Sequence, residues 1–170
     1  MIILVDGPDG TGKTGYAQWI SNEIGFPFLR LEPDGMFGEI DGQTIERMSS
    51  VFNYTLVQLD EQHVDVVVDR GPISSIVYSR VFQRGRPDHA HDVLDSLDPH
   101  VIYLRCDPRE LEIRYDDEKF DNIGEIAVEY DGVMDELSSE GVDINTVDTS
   151  SGSPGEIDDL IHHWIVEGNR

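Results

Sequence analysis
Cysteine occurs once in the 170 residues, at Cys106, and lysine only twice, at Lys13 and Lys119. A single cysteine rules out an intramolecular disulfide and suits a reducing compartment. Basic residues number 12 against 35 acidic ones, for a formal charge of -23. That balance argues against a general nucleic-acid surface, because neutralising a phosphate backbone requires clustered Lys and Arg. Long apolar runs are also missing: nothing approaches the roughly 20 residues of a membrane span, so no membrane partner is expected. The apolar opening Met1 to Val5 has no basic flank and runs directly into Asp6, unlike a secretory leader. Together these absences predict a cytoplasmic protein. The acidic, lysine-poor composition, with Asp outnumbering Glu by 21 to 14, has two explanations. One is adaptation to a high-salt host; the other is GC-rich codon usage plus a solvated face that keeps the chain dispersed.

What is present is an alternation of apolar β-branched runs with amphipathic stretches. At 38% apolar residues, the chain suffices for one full core and is short for two, so a single domain over 1–170 is expected. Ile2 to Val5 reads as a buried strand ended by a glycine-rich turn. A helix from Lys13 to Ile24 would present Tyr16, Trp19, Ile20 and Ile24 on one face, with Gly25 as its stop. Further strands are expected at Phe26 to Leu31, Val64 to Asp69, His100 to Arg105 and Val142 to Val147. Ile45, Met48, Phe52, Leu56 and Leu59 recur at three- and four-residue steps and predict a long helix over Gln43 to Gln62. Helices are also expected over Ile73 to Gln83, Asp88 to Leu97, Arg109 to Asp116 and Ile123 to Ser138, and after Pro154. Asp107 and Pro108 have the character of an N-cap and a first helical residue. The alternation implies an α/β fold of three layers, helices lying on both faces of a five-stranded parallel sheet. Ligands in such folds bind beyond the carboxyl ends of the strands.

At that position lies Gly7-Pro8-Asp9-Gly10-Thr11-Gly12-Lys13-Thr14, a full match to GxxxxGK[ST] between a strand and a helix. Its glycines let backbone N–H groups turn inward around phosphates, and the helix N-terminus adds partial positive charge. Gly7, Asp9, Gly10, Thr11, Gly12, Lys13 and Thr14 are therefore the candidate donor site. Lys13 would reach the β- and γ-phosphates of ATP, and the Thr14 hydroxyl would be a Mg2+ ligand. The alternative is a chance glycine turn.

Asp69 ends the third expected strand, so its carboxylate should face the same magnesium and phosphates. Arg70 follows, with a planar fork suited to bidentate phosphate binding. The competing reading has Asp69 capping the next helix and Arg70 in a surface ion pair.

These motifs resemble the thymidylate kinase family of nucleotide kinases, and the resemblance runs through most of the chain. GPDGTGKT is similar to that family's loop, in which the aspartate at the Asp9 position holds the acceptor's 3'-hydroxyl. Asp69 and Arg70, with Ser74 and Tyr78, are similar in spacing to the family pattern DRYxxSxxAYQ, although Gly71 replaces the tyrosine and Ser79 the glutamine. Arg30, ahead of Glu32-Pro33-Asp34-Gly35, resembles the arginine that grips the acceptor phosphate, with the spacing slipped by one. Phe52 falls where the family stacks a phenylalanine on the base. Leu56 stands where it carries a thymine-reading arginine, and leucine cannot hydrogen-bond a carbonyl. Val147 to Ser150 and Pro154 resemble the strand and loop near the donor's adenine. The family's lid corresponds to about 114–122, where Arg114, then Lys119, would stabilise the transferring phosphoryl group.

The resemblance implies ATP- and magnesium-dependent phosphoryl transfer to a deoxynucleoside monophosphate, dTMP-like but with the base open. Lys13, Asp69, Arg70 and Arg114 would be the catalytic residues, Thr14 and Asp69 the metal ligands. The acceptor would meet Asp9, Arg30, Phe52, Arg70, Ser74 and Tyr78. A homodimer through the Gln43 to Gln62 helix is also implied. Alternatives are a kinase acting on a neutral hydroxyl, of a deoxynucleoside or of a modified base in DNA, with Asp69 as proton acceptor. A non-kinase nucleotide switch is the rival from another class, but the Asn-Lys-x-Asp element of guanine-binding proteins is missing. His89 and His91, and the pair His162-His163, lack a zinc-ligand pattern, and Cys106 reads as a packed strand-end residue.

Overall fold
The structure is a computed structural model that describes residues 1–30, 42–83, 88–114, 122–150 and 154–167. Five strands, β1 (Ile2–Asp6), β2 (Phe28–Arg30), β3 (Val66–Asp69), β4 (His100–Arg105) and β5 (Ile144–Asp148), form one sheet. Its order is β2-β3-β1-β4-β5 with every pairing parallel. The helices are α1 (Lys13–Ile24), α2 (Gly42–Glu61), α3 (Pro72–Val81), α4 (Asp88–Ser96), α5 (Pro108–Arg114), α6 (Ile123–Ser139) and α7 (Pro154–Glu167).

The two-residue period of a strand divides β1 between two cores. Ile2 and Leu4 join Val66, Val68, Val101 and Tyr103 beneath α2, α3, α4 and α6. Ile3 and Val5 join Val67, Ile102 and Leu104 beneath α1 and α7, through Ala17, Ile20 and Ile161. Continuous apolar runs therefore become central strands because both faces are covered, and each fully buried Val, Leu or Ile contributes about 1.5–3 kcal/mol. The expected three-layer α/β fold with its five parallel strands is what forms.

Several element ends move by two or three residues, for local reasons. Phe26 and Pro27 stay out of β2 because proline has no N–H for the ladder; Pro27 only accepts, from Val67 N–H at 2.9 Å. Val64 does not start β3: its N–H returns to Leu59 O at 2.9 Å, after His63 in left-handed conformation. Val142 likewise donates to Leu137 O at 3.1 Å, so β5 begins at Ile144. Helix α3 starts at Pro72 and ends at Val81, with Gln83 at φ 51. Asp107 does cap α5, accepting from Arg109 N–H at 2.9 Å. Beyond Arg114, the expected helix to Asp116 and the lid with Lys119 lie outside the described residues, as do Glu32 to Gly35.

The topology positions the site. From β1 the chain moves outward to β2 and β3 on one side, then returns to place β4 on the other. The loop after β1 therefore sits where strand order reverses, at the crevice beyond the carboxyl ends. No described helix is long and apolar enough to cross a membrane.

Candidate active site
Gly7 begins the loop at φ 149, and a Cβ there would stand 2.4 Å from the backbone oxygen of Leu104 on β4. Only glycine lets the chain leave β1 against its neighbouring strand. Gly10 and Gly12 follow at φ 85 and 86, conformations that glycine adopts without a Cβ penalty. Thr11 donates its hydroxyl to Pro8 O at 2.8 Å, closing the turn, and α1 then opens with Lys13.

Two cations meet on one carboxylate in this cradle. Lys13 Nζ donates to Asp9 Oδ1 at 2.8 Å and to Pro8 O at 3.1 Å. Arg70 Nη2 donates to the same Oδ1, and Tyr78 gives its hydroxyl to Asp9 Oδ2 at 2.8 Å. Burial raises the Asp9 pKa, but the charges of Lys13 and Arg70 outweigh it and hold the carboxyl well below its usual range. Lys13 is shifted down, first by burial and then by the charge of Arg70.

Arg70 reaches this position through its backbone. It lies at φ 67, a left-handed conformation uncommon outside glycine and costing about 1–3 kcal/mol. Its N–H still bonds Val5 O at 3.2 Å, and its guanidinium lies 5.3 Å from the Tyr78 ring centroid. Strand pairing holds the conformation while the side chain turns from the sheet toward the loop.

Asp69, the residue before it, is fully buried. Its Oδ2 accepts the Thr14 hydroxyl at 2.6 Å and pairs with Arg30 Nε at 3.2 Å. Its Oδ1 has no hydrogen-bond partner, although buried carboxylate oxygens ordinarily find a donor. A hydroxyl beside a carboxylate with one unpartnered oxygen fits magnesium, a hard cation that takes oxygen ligands and leaves its remaining positions to phosphates and water.

Asp6 and Tyr130 belong to the same floor and went unrecognised in the sequence. Asp6 Oδ1 accepts from Gly7 N–H at 2.9 Å, Ser74 Oγ at 2.7 Å and the Tyr130 hydroxyl at 2.8 Å; Oδ2 accepts Ser74 N–H at 3.2 Å. Burial raises the Asp6 pKa, and these hydrogen bonds oppose the rise. Ser74, expected to touch the acceptor, is thus committed to joining β1, α3 and α6. The available signal was an acid closing an otherwise apolar strand directly before the glycine loop.

The structure therefore brings Asp9, Lys13, Thr14, Arg30, Asp69, Arg70 and Tyr78 into one cluster. Phe52 is half-buried against the main core, and Leu56 is fully buried there, near where a Gly71 Cβ would lie. Arg114 stands apart from the cluster, bonded to Glu110 at 3.2 Å and to Thr149 O at 2.9 Å beside the ends of β4 and β5. His89 is hydrogen-bonded to Ser50 Oγ at 3.1 Å. Among the described residues no group of three or more His, Cys, Asp or Glu is placed to hold a metal ion.

Known proteins share this arrangement of strands and loop. The model of the ATPase family associated with various cellular activities (AAA) matches residues 3–69, from β1 through Asp69. Protein mac-1 of Caenorhabditis elegans is 24% identical over 148 residues, 87% of this chain; the chain spans 17% of that protein's length. Among solved structures, the YorR protein of Bacillus subtilis, in complex with phosphorylated GDP, superposes with a TM-score of 0.70 at 23% identity, covering 100% of this chain and 99% of that one. Thymidylate kinase from Candida albicans gives 0.65 at 16% identity, covering 99% and 91%. Deoxyadenosine kinase from M. mycoides, with bound dATP, gives 0.66 at 16% identity, covering 98% and 100%. The chain has the P-loop kinase fold, and its structural neighbours include thymidylate and deoxynucleoside kinases.

Proposed function
We propose that this chain is a phosphotransferase that moves the γ-phosphoryl group of ATP, with magnesium, onto a nucleotide acceptor of the deoxynucleoside monophosphate class. The observation that carries the reading is the meeting of Lys13 and Arg70 on Asp9 Oδ1, one cation from the loop and one from the tip of β3. Two anionic groups approaching from donor and acceptor sides would replace that carboxylate as partners of the two cations. Arg30, paired with Asp69, adds a second guanidinium at the tips of β2 and β3. Two guanidinia suit an acceptor that already carries a phosphate better than a neutral hydroxyl.

Phosphoryl transfer asks little covalent chemistry of the protein; positioning and charge do the work. The loop amides and Lys13 would hold the donor's phosphates, Arg70 and Arg30 the acceptor's, and Arg114 would meet the transferring group. Magnesium, held by Thr14 and Asp69, would supply charge neutralisation at the donor. Asp9, released from its two cations, would be available to the acceptor's sugar hydroxyl.

The test is ATP consumption with magnesium against deoxynucleoside monophosphates, deoxynucleosides and an oligonucleotide. Monophosphate-dependent ADP release with formation of the nucleoside diphosphate is expected. Turnover with nucleosides alone would replace this reading with one in which Asp69 accepts a proton from a neutral hydroxyl. Slow hydrolysis indifferent to every acceptor would favour a nucleotide switch.

A further inference from the structure
Beside β5, at the edge of the sheet, α6 leaves a cavity of about 440 Å³, and none of its lining residues belongs to the cluster around the loop. Its volume lies in the range of small-molecule sites, about 300–1,000 Å³. The two-residue period of β4 and β5 turns Tyr103, Arg105, Ile144 and Thr146 to one face, with Tyr103 opposite Thr146 in the ladder. Along α6, Asp131, Asp135 and Ser138 recur at steps of four and three and form the facing wall. Arg105 is fixed between them: Asp131 Oδ1 accepts from its Nε at 3.0 Å and Oδ2 from its Nη2 at 3.1 Å, while Tyr103 donates its hydroxyl to the same Oδ1 at 2.8 Å. The Arg105 side chain is nevertheless 53% exposed. Among the described residues, its Nη1, the Asp135 carboxylate and the hydroxyls of Ser138 and Thr146 have no hydrogen-bond or ion-pair partner.

We infer that this cavity is a second binding site, for an uncharged, hydroxylated ring compound of nucleoside size. The idle groups set the class. A guanidinium only donates and a carboxylate only accepts, so the ligand presents an acceptor, such as a base carbonyl or ring nitrogen, to Arg105 Nη1 and donors to Asp135. Two adjacent sugar hydroxyls match the two oxygens of Asp135, much as an acidic side chain holds ribose in dinucleotide-binding folds. Ser138 and Thr146 can donate or accept beside it, and Ile144 and Met134 give the ring an apolar surface. Charge excludes a phosphorylated ligand. Asp131, Asp135 and Asp148, which stands opposite Arg105 in the ladder, put three carboxylates around one guanidinium, so a phosphate would meet repulsion. The cavity therefore takes the ligand class opposite to that of the crevice over the loop, where Lys13, Arg30 and Arg70 gather.

Binding alone is measured, so the outcome does not depend on whether the chain transfers phosphate. The full chain is titrated calorimetrically with adenosine, guanosine, cytidine and uridine, beside ribose and the matching monophosphates. Saturable binding of at least one nucleoside is expected. Asp135→Ala should weaken it about 10-fold or more, the worth of hydrogen bonds to a charged group. Its Tm should stay within about 2 °C because the residue is exposed. Arg70→Ala should change nucleoside affinity less than about twofold, since additive behaviour is the rule for sites without shared partners. In the Arg70→Ala chain the monophosphates should fail to displace the nucleoside. Ribose binding as tightly as the nucleosides would assign the contact to the sugar hydroxyls and uphold the site. A chain that binds neither nucleosides nor ribose would overturn the inference. So would binding that is lost in Arg70→Ala and kept in Asp135→Ala, which places the nucleoside in the crevice over the loop, or displacement by a monophosphate in the Arg70→Ala chain.

Discussion

Replacing Asp9 with asparagine should destabilise the free protein and make its stability unusually responsive to anions. The carboxylate is the shared partner of Lys13 and Arg70, whose side chains are 5% and 22% exposed. An amide of the same shape leaves two largely buried cations facing each other without a counter-charge. Breaking a buried pair by removing one partner costs about 3–5 kcal/mol, and for a chain of this size each kcal/mol corresponds to about 2–4 °C in Tm. The expected fall is therefore roughly 6–20 °C in ligand-free buffer. Binding stabilises by mass action, and in the variant a polyphosphate also restores the missing negative charge. Inorganic tripolyphosphate or Mg-ATP should thus raise the variant's Tm by more than it raises the wild type's. The pH dependence has a definite sign: the folded-state pKa of Asp9 is lowered below its ordinary 3.8. Its stabilisation is present above that ordinary value and is lost as pH falls through the folded one. The Asp9→Asn variant has no such titration, so the gap between the two proteins should narrow in acid. Thermal melts at neutral and acidic pH, with and without tripolyphosphate, measure all of this. Equal melting temperatures, or equal shifts with tripolyphosphate, would refute the reasoning.

Three further outcomes follow from the geometry. Gly7→Ala places a Cβ 2.4 Å from Leu104 O at φ 149; overpacking and backbone strain should together cost about 2–6 kcal/mol, read as a fall in denaturant midpoint with loss of ATP binding. Tyr130→Phe removes the 2.8 Å donor to Asp6 and should cost about 1.5–3 kcal/mol at neutral pH. Because the folded pKa of Asp6 is already raised, this penalty should shrink as pH falls and the carboxyl protonates, and unfolding followed at mildly acidic and at neutral pH separates the two regimes. Thr14→Val deletes the hydroxyl 2.6 Å from Asp69 and should raise the magnesium concentration needed for half-maximal ATP turnover at least tenfold, measured by metal titration.

The fold was legible because its signals are local and repeated. VDVVVD, HVIYLR and the opening IILV read as strands through continuous β-branched runs, and Gly25 and Pro108 mark helix ends through backbone chemistry. The glycine-rich turn between β1 and α1 was legible because spacing and position agree at residues 7–14. What escaped depended on contacts distant in sequence. Tyr130 sits in an apolar stripe with Ile126, Val133 and Leu137, and nothing in that stripe announces a hydroxyl aimed at a residue 124 positions away. Ser74 matched a motif by spacing, yet its hydroxyl bonds Asp6, since an acid at the end of β1 needs donors from α3 and α6. Asp9 was read for an acceptor hydroxyl, whereas in the free chain it holds Lys13, Arg70 and Tyr78. That outcome depends on the left-handed backbone of Arg70, which no residue preference foretells.

The central claim is that the loop and the tip of β3 form one phosphoryl-transfer site. Incubation with γ-labelled ATP, magnesium and deoxynucleoside monophosphates, followed by separation of the nucleotides, tests it most directly. Label should appear on the acceptor's diphosphate with the wild-type chain and vanish with Lys13→Ala or Arg70→Ala. Label found solely in inorganic phosphate, or transfer that survives both substitutions, would contradict the account.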